Sequence, residues 1–79
     1  MFEKYRSIQE NVIVFINNRL TITITNKEDL DINFLMQSII SRFPMQVAFP
    51  DCSIESIYEY LEWTIRAMWF ARANEFIQV

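Results

Sequence analysis

Residues 11–25 read Asn-Val-Ile-Val-Phe-Ile-Asn-Asn-Arg-Leu-Thr-Ile-Thr-Ile-Thr, and the way this stretch is parsed decides the fold. Its first six residues are a largely β-branched run, and its last six alternate apolar and polar, the period-2 signature of a half-buried strand. Between them stand Asn17, Asn18 and Arg19. Asparagine is the best replacement for glycine in the left-handed conformation that tight hairpin turns require. The stretch is therefore expected to form a β-hairpin, with two registers open. A two-residue Asn-Asn turn pairs Ile16 with Arg19 and sets Val12, Val14 and Ile16 on the threonine face. A three-residue loop pairs Ile16 with Leu20 and gathers Val12, Val14, Ile16, Leu20, Ile22 and Ile24 on one face, which burial favours. In either register the first strand is apolar on both faces and belongs at the centre of a sheet, with the threonine-rich strand at its edge.

The elements downstream follow from this parse. Asn26 reads as a helix N-cap, with Glu28 and Asp29 in the first turn facing the positive end of the helix dipole. Ile32, Leu35, Met36, Ile39, Ile40 and Phe43 then recur at i, i+3, i+4, i+7, i+8 and i+11, one face of a helix. Pro44 ends it. Residues 45–49 (Met-Gln-Val-Ala-Phe) alternate between two prolines and read as a short third strand. A long helix follows, capped by Ser53 or Asp51 and running without a breaker to about Ile77. In residues 1–10, Phe2, Tyr5 and Ile8 recur every three positions, which suits an irregular or helical arm. The expected fold is a single α/β domain of residues 1–79. It is a small two-layer sandwich in ββαβα order, with a three-stranded mixed sheet in strand order 2-1-3 and a right-handed crossover.

Composition narrows function more than it narrows fold. The 79 residues include no glycine, no histidine and one cysteine, Cys52. A P-loop, a dinucleotide fingerprint and a Gly-x-Ser-x-Gly elbow each need glycine where the backbone takes positive φ or approaches a ligand. Imidazole-based triads, His or paired-Cys zinc sites and CxxC redox centres fall to the same count. No catalytic residue, cofactor or metal is expected, and the chain reads as non-enzymatic. Paired-carboxylate hydrolysis would need a cleft that so short a chain can hardly enclose. Seven Lys and Arg against ten Asp and Glu give a net charge of −3, which argues against nucleic acid as a partner. No uncharged stretch approaches the roughly 20 apolar residues of a membrane span, and the first residues lack the apolar core of a signal peptide. With a lone cysteine suited to a reducing compartment, the expected location is cytoplasmic.

The long helix carries the most informative pattern. At 100° per residue, Ile54, Ile57, Tyr58, Leu61, Ile65, Met68, Trp69 and Phe76 fall within about 60° of one direction and form a core-facing stripe. Opposite them, at about 160–240°, lie Tyr60, Trp63, Ala67 and Phe70, followed four residues on by Asn74. A surface helix is ordinarily polar there. Three aromatic side chains of about 150–250 Å² each are too much apolar surface to leave uncovered without a reason. Either the N-terminal arm or the exposed face of the hairpin covers them, or they form an interface with another protein or with a second copy. A membrane surface is the weaker possibility, because the helix lacks a basic polar face.

Between the two stripes Glu55, Glu59 and Glu62 form an acidic edge that is either a solvated face or a docking site for a basic partner, and Glu62 and Arg66 are spaced for an i, i+4 pair. Arg72 projects toward the centre of the core stripe, where it is expected to snorkel or to pair with a carboxylate. Cys52 precedes a helix N-terminus but has no base, and reads as structural.

A chain this short and hydrophobic, with neither disulfide nor metal, also raises the expectation of self-association. The residues of AT-rich codons (Phe, Tyr, Met, Ile, Asn, Lys) outnumber Gly, Ala, Arg and Pro, as in many low-GC bacteria and their phages. The functional expectation is a small acidic protein-binding module and homodimer. Its concrete form is a phage or mobile-element inhibitor that occludes a host or defence protein. The alternative is a homo-oligomeric assembly subunit without an outside target.

Overall fold

The hairpin does not form. A computed structural model, which describes the backbone of residues 2–77 and the side chains of residues 6–72, shows one continuous helix, α1 (Phe2–Thr25), across the entire stretch. It is followed by α2 (Ile32–Arg42), a single turn α3 (Met45–Ala48) and α4 (Ile54–Ile77). No strand occurs among the described residues. The expected three-stranded α/β sandwich is thus replaced by an all-helical fold, and the chain is not a small α/β protein.

The reason lies in a second periodicity within the same residues. Val12, Ile16 and Leu20 are spaced by four and are all buried in the core, and Ile8 packs against them from one turn earlier. Fully burying an aliphatic side chain contributes about 1.5–3 kcal/mol, whereas a β-branched residue costs a helix only some tenths of that. Burial therefore overrides local preference. Two of the three threonines that suggested a strand's solvent face satisfy their hydroxyls inside the helix. Thr21 Oγ1 donates to the Asn17 carbonyl and Thr23 Oγ1 to the Arg19 carbonyl, both at 2.9 Å. Ile22, expected on the same buried face as Leu20 and Ile24, is exposed. The expected N-terminal arm is the beginning of α1. The side chains of Phe2 and Tyr5 lie outside the described residues.

The end of α1 explains why α2 starts later than expected. Lys27 takes φ 56°, and two bonds close the helix around it: Lys27 N–H to the Ile24 carbonyl at 3.1 Å and Glu28 N–H to the Thr23 carbonyl at 3.0 Å. This is a Schellman closure with lysine in the position that glycine usually fills. Asn26 is consumed in it, so the N-cap of α2 is Asp31, whose carboxylate accepts the Phe34 N–H at 3.0 Å. The expected core face of α2 is present. Leu35, Met36 and Ile39 are buried, with Ile32, Ile40 and Phe43 packed beside them.

The third expected strand is α3. Alternation would bury Met45, Val47 and Phe49; instead Met45 and Ala48 are buried, Phe49 packs on the core, and Val47 is exposed. That is the i, i+3, i+4 pattern of a helical turn, laid against α1. Ser53 caps α4, its Oγ accepting the Ser56 N–H at 3.2 Å.

Tyr60 shares a groove with Arg6, Gln9 and Glu10, while Arg72 reaches Asn17 and Thr21, so α1 and α4 run in the same direction. α2 returns between them. Phe43 at its C-terminal end meets Phe15 edge-on at 5.7 Å between centroids, and the Arg42 guanidinium lies 5.2 Å above the Phe15 ring. The core gathers on this arrangement, with Ile57, Leu61 and Ile65 of α4 closing it and Tyr58, Met68 and Trp69 at its border. Ile54, expected in the same stripe, is exposed, and Phe76 lies outside the described side chains.

Candidate functional site

With the core face of α4 fixed, its opposite face points outward. Trp63 is 72% exposed, Phe70 63% and Tyr60 39%, and Ala67 is exposed between them. Among the described residues nothing removes Trp63 and Phe70 from water. The residues expected to supply a cover, the N-terminal arm and the hairpin, are instead part of α1, where Ile8, Val12, Ile16 and Leu20 turn to the core; the side chains of Phe2 and Tyr5 lie outside the described residues. The helix brings Tyr60, Trp63, Ala67 and Phe70 together along one line, and it runs from a capped N-terminus without proline, so the line is rigid. Asn74, assigned to the same face, lies outside the residues whose side chains are described.

Tyr60 is the inner end of this surface. Its ring sits 5.1 Å from that of Phe49, and its other side borders a shallow groove whose apolar floor comes from Ile13 and Val14 of α1. Val14 is 56% exposed, which extends the apolar patch from α4 onto α1. Reading residues 11–16 as a strand hides these two residues. Read as a helix, the same sequence places them about 100° apart on the flank of α1 away from the Ile8–Leu20 core line, and that is the signal that could have found them. A second apolar groove, about 350 Å³, opens beside the N-terminal end of α4 between Phe43, Pro44, Val47 and Ile54.

The acidic edge is only partly bare. Glu62 accepts from Arg66 at 2.9 Å, the i, i+4 pair that the spacing required, while Glu55 and Glu59 are exposed. Such an exposed pair contributes a few tenths of a kcal/mol. Its greater effect is to cancel one negative charge beside the aromatic line. Among the described residues the partners of Arg72 are not carboxylates: its guanidinium donates to Thr21 Oγ1 at 2.6 Å and to Asn17 Oδ1. Cys52 is exposed ahead of α4. Among the described residues no group of three or more Cys, Asp and Glu side chains is placed to hold a metal ion, and no helix is long and apolar enough to cross a membrane.

What this surface can do chemically is bind. Its projecting groups are indole, phenyl and phenol rings around a small residue, a combination that offers apolar area, low side-chain entropy and two polar tips. Comparison with protein-family models, with characterised protein sequences and with solved structures returns no match.

Proposed function

We propose that this chain is a small acidic, non-enzymatic protein-binding module that docks through the outer face of α4. The observation that carries the reading is the pair Trp63 and Phe70, one heptad apart on a rigid helix and 72% and 63% exposed. Tryptophan and tyrosine are the side chains that most often anchor protein interfaces. Ala67 between the two exposed rings lets a partner approach closely. The charge of −3 and the exposed carboxylates Glu55 and Glu59 on the same helix support a protein partner over a polyanion.

Docking of this kind takes one of two forms. In the first the chain caps and occludes a surface of a larger protein, as an inhibitor does. In the second it builds a homo-oligomer with no outside target. Both need the aromatic line, so one pair of variants tests the reading. Trp63→Ala with Phe70→Ala is expected to leave the far-UV circular dichroism of the monomer unchanged. It should abolish both concentration-dependent mass by light scattering and retention of any stoichiometric protein from lysate. Identical mass and retention for variant and parent, or loss of helical signal in the variant, would remove the basis for the reading.

A further inference from the structure

The docking reading leaves the occupant of the α4 face open; resting on that reading, we infer that the occupant is a second copy of this chain, packed antiparallel on the same face about a two-fold axis near residue 65. The order of side chains along the line is what selects it. Tyr60, Trp63, Ala67 and Phe70 are spaced 3-4-3, the alternation of a two-helix seam, and this spacing is the same in both directions. Reversing the helix about residue 65 sets Tyr60 of one copy against Phe70 of the other and Trp63 against Ala67, each contact occurring twice. The bulkiest side chain then meets the smallest, and two rings of similar size meet each other. A parallel pair would stack Trp63 on Trp63 in an overfilled layer and leave a gap where Ala67 meets Ala67, both of which destabilise a packed seam.

The area is sufficient for a specific but modest dimer. With about 200 Å² for a whole aromatic side chain and the exposed fractions of Trp63, Phe70 and Tyr60, the three rings offer about 350 Å² per copy and about 700 Å² per pair. Ala67 and the exposed neighbours Glu59, Arg66 and Ala71 bring the total to roughly the 1,000 Å² that separates specific interfaces from casual contacts. Arg66 lies beside the axis, and each guanidinium is held by its own Glu62, so like charges meet as paired groups.

Single cysteines in a Cys52→Ala background test the geometry. With a rise of 1.5 Å per residue, position 66 lies roughly 3 Å along the axis from its copy, and position 59 roughly 18 Å. Position 66 flanks the seam beyond disulfide reach, so a short bis-maleimide is the linker, and it is expected to join Arg66→Cys into a covalent dimer and to leave Glu59→Cys unlinked. Light scattering from about 1 to 500 μM should show the mass rising from 9.5 kDa toward twice that value. Ala67→Glu, which puts a carboxylate opposite Trp63 on an exposed helix position, is expected to hold the mass at the monomer value with unchanged circular dichroism. A parent chain that stays monomeric at 500 μM, or equal linking at both positions, overturns the inference. If the parent is monomeric yet retains a larger protein that Trp63→Ala with Phe70→Ala loses, the docking reading stands and self-association alone fails.

Discussion

Arg72 joins the two long helices by donating to Thr21 Oγ1 at 2.6 Å and to Asn17 Oδ1. Its two acceptors lie one helical turn apart on α1, so the planar guanidinium spans them as it would span the two oxygens of a carboxylate. The half-buried stem of Arg72 lies along the core side of α4, and the charged end reaches across to α1. This contact ties α1 to α4 toward their C-terminal ends, while Ile13 and Val14 border Tyr60 nearer their N-terminal ends.

Breaking that contact should cost stability without changing the fold. Hydrogen bonds from a charged donor contribute about 1.5–3 kcal/mol when shielded; with both acceptors exposed, about 1 kcal/mol is the expected loss for Arg72→Met, which keeps the apolar stem. Urea unfolding of Arg72→Met, Thr21→Val and the double variant should give a coupling energy of about 0.5–1 kcal/mol. Strict additivity would mean that the two groups do not interact in solution.

Lys27 offers a gain. Holding a side chain with a Cβ at φ 56° costs roughly 1 kcal/mol that glycine avoids. Lys27→Gly is expected to raise the unfolding free energy by about 0.5–1 kcal/mol, read as a higher urea midpoint at unchanged slope. Lys27→Val should lower it. A loss for the glycine variant would show that the closure of α1 does not depend on that left-handed residue.

What the sequence discloses differs from one element to the next. The face of α2 is legible because Ile32, Leu35, Met36, Ile39, Ile40 and Phe43 fit a helix and fit no strand. The two stripes of α4 are legible for the same reason, and so are the Ser53 cap and the Glu62–Arg66 pair. Residues 11–25 satisfy both periods at once. Val12, Ile16 and Leu20 serve a helix, while Leu20, Ile22 and Ile24 serve a strand, and only the presence of two other helices to bury the first set decides between them. Arg72 was legible as a core-side cation, but its acceptors were not, because an amide and a hydroxyl carry no charge pattern to search for.

Asn18 separates the two readings of that stretch by experiment. In a hairpin it sits in the turn, and alanine there would be costly; in α1 it is an exposed mid-helix position where alanine is the better residue by about 0.5 kcal/mol. Asn18→Ala should therefore unfold at a higher denaturant concentration than the parent and show equal or greater helical ellipticity. A destabilised variant would argue for a turn at residues 17–19 in solution.

Leu61 and Trp63 stand two residues apart on α4 and should respond oppositely to truncation. Leu61 is fully buried and Trp63 is 72% exposed. Leu61→Ala leaves a cavity in the core and is expected to cost about 2–5 kcal/mol at any protein concentration. Trp63→Ala should cost less than about 0.5 kcal/mol when the chain is dilute and monomeric. On the proposed pairing, the parent gains stability by mass action as concentration rises and Trp63→Ala does not. The gap between their melting temperatures should therefore widen as concentration rises, while the gap between parent and Leu61→Ala stays nearly constant or widens only by the same linkage. Differential scanning of the three proteins from about 1 to 500 μM measures both effects in one series. A concentration-independent Trp63→Ala penalty of several kcal/mol would place that indole in the monomer's core.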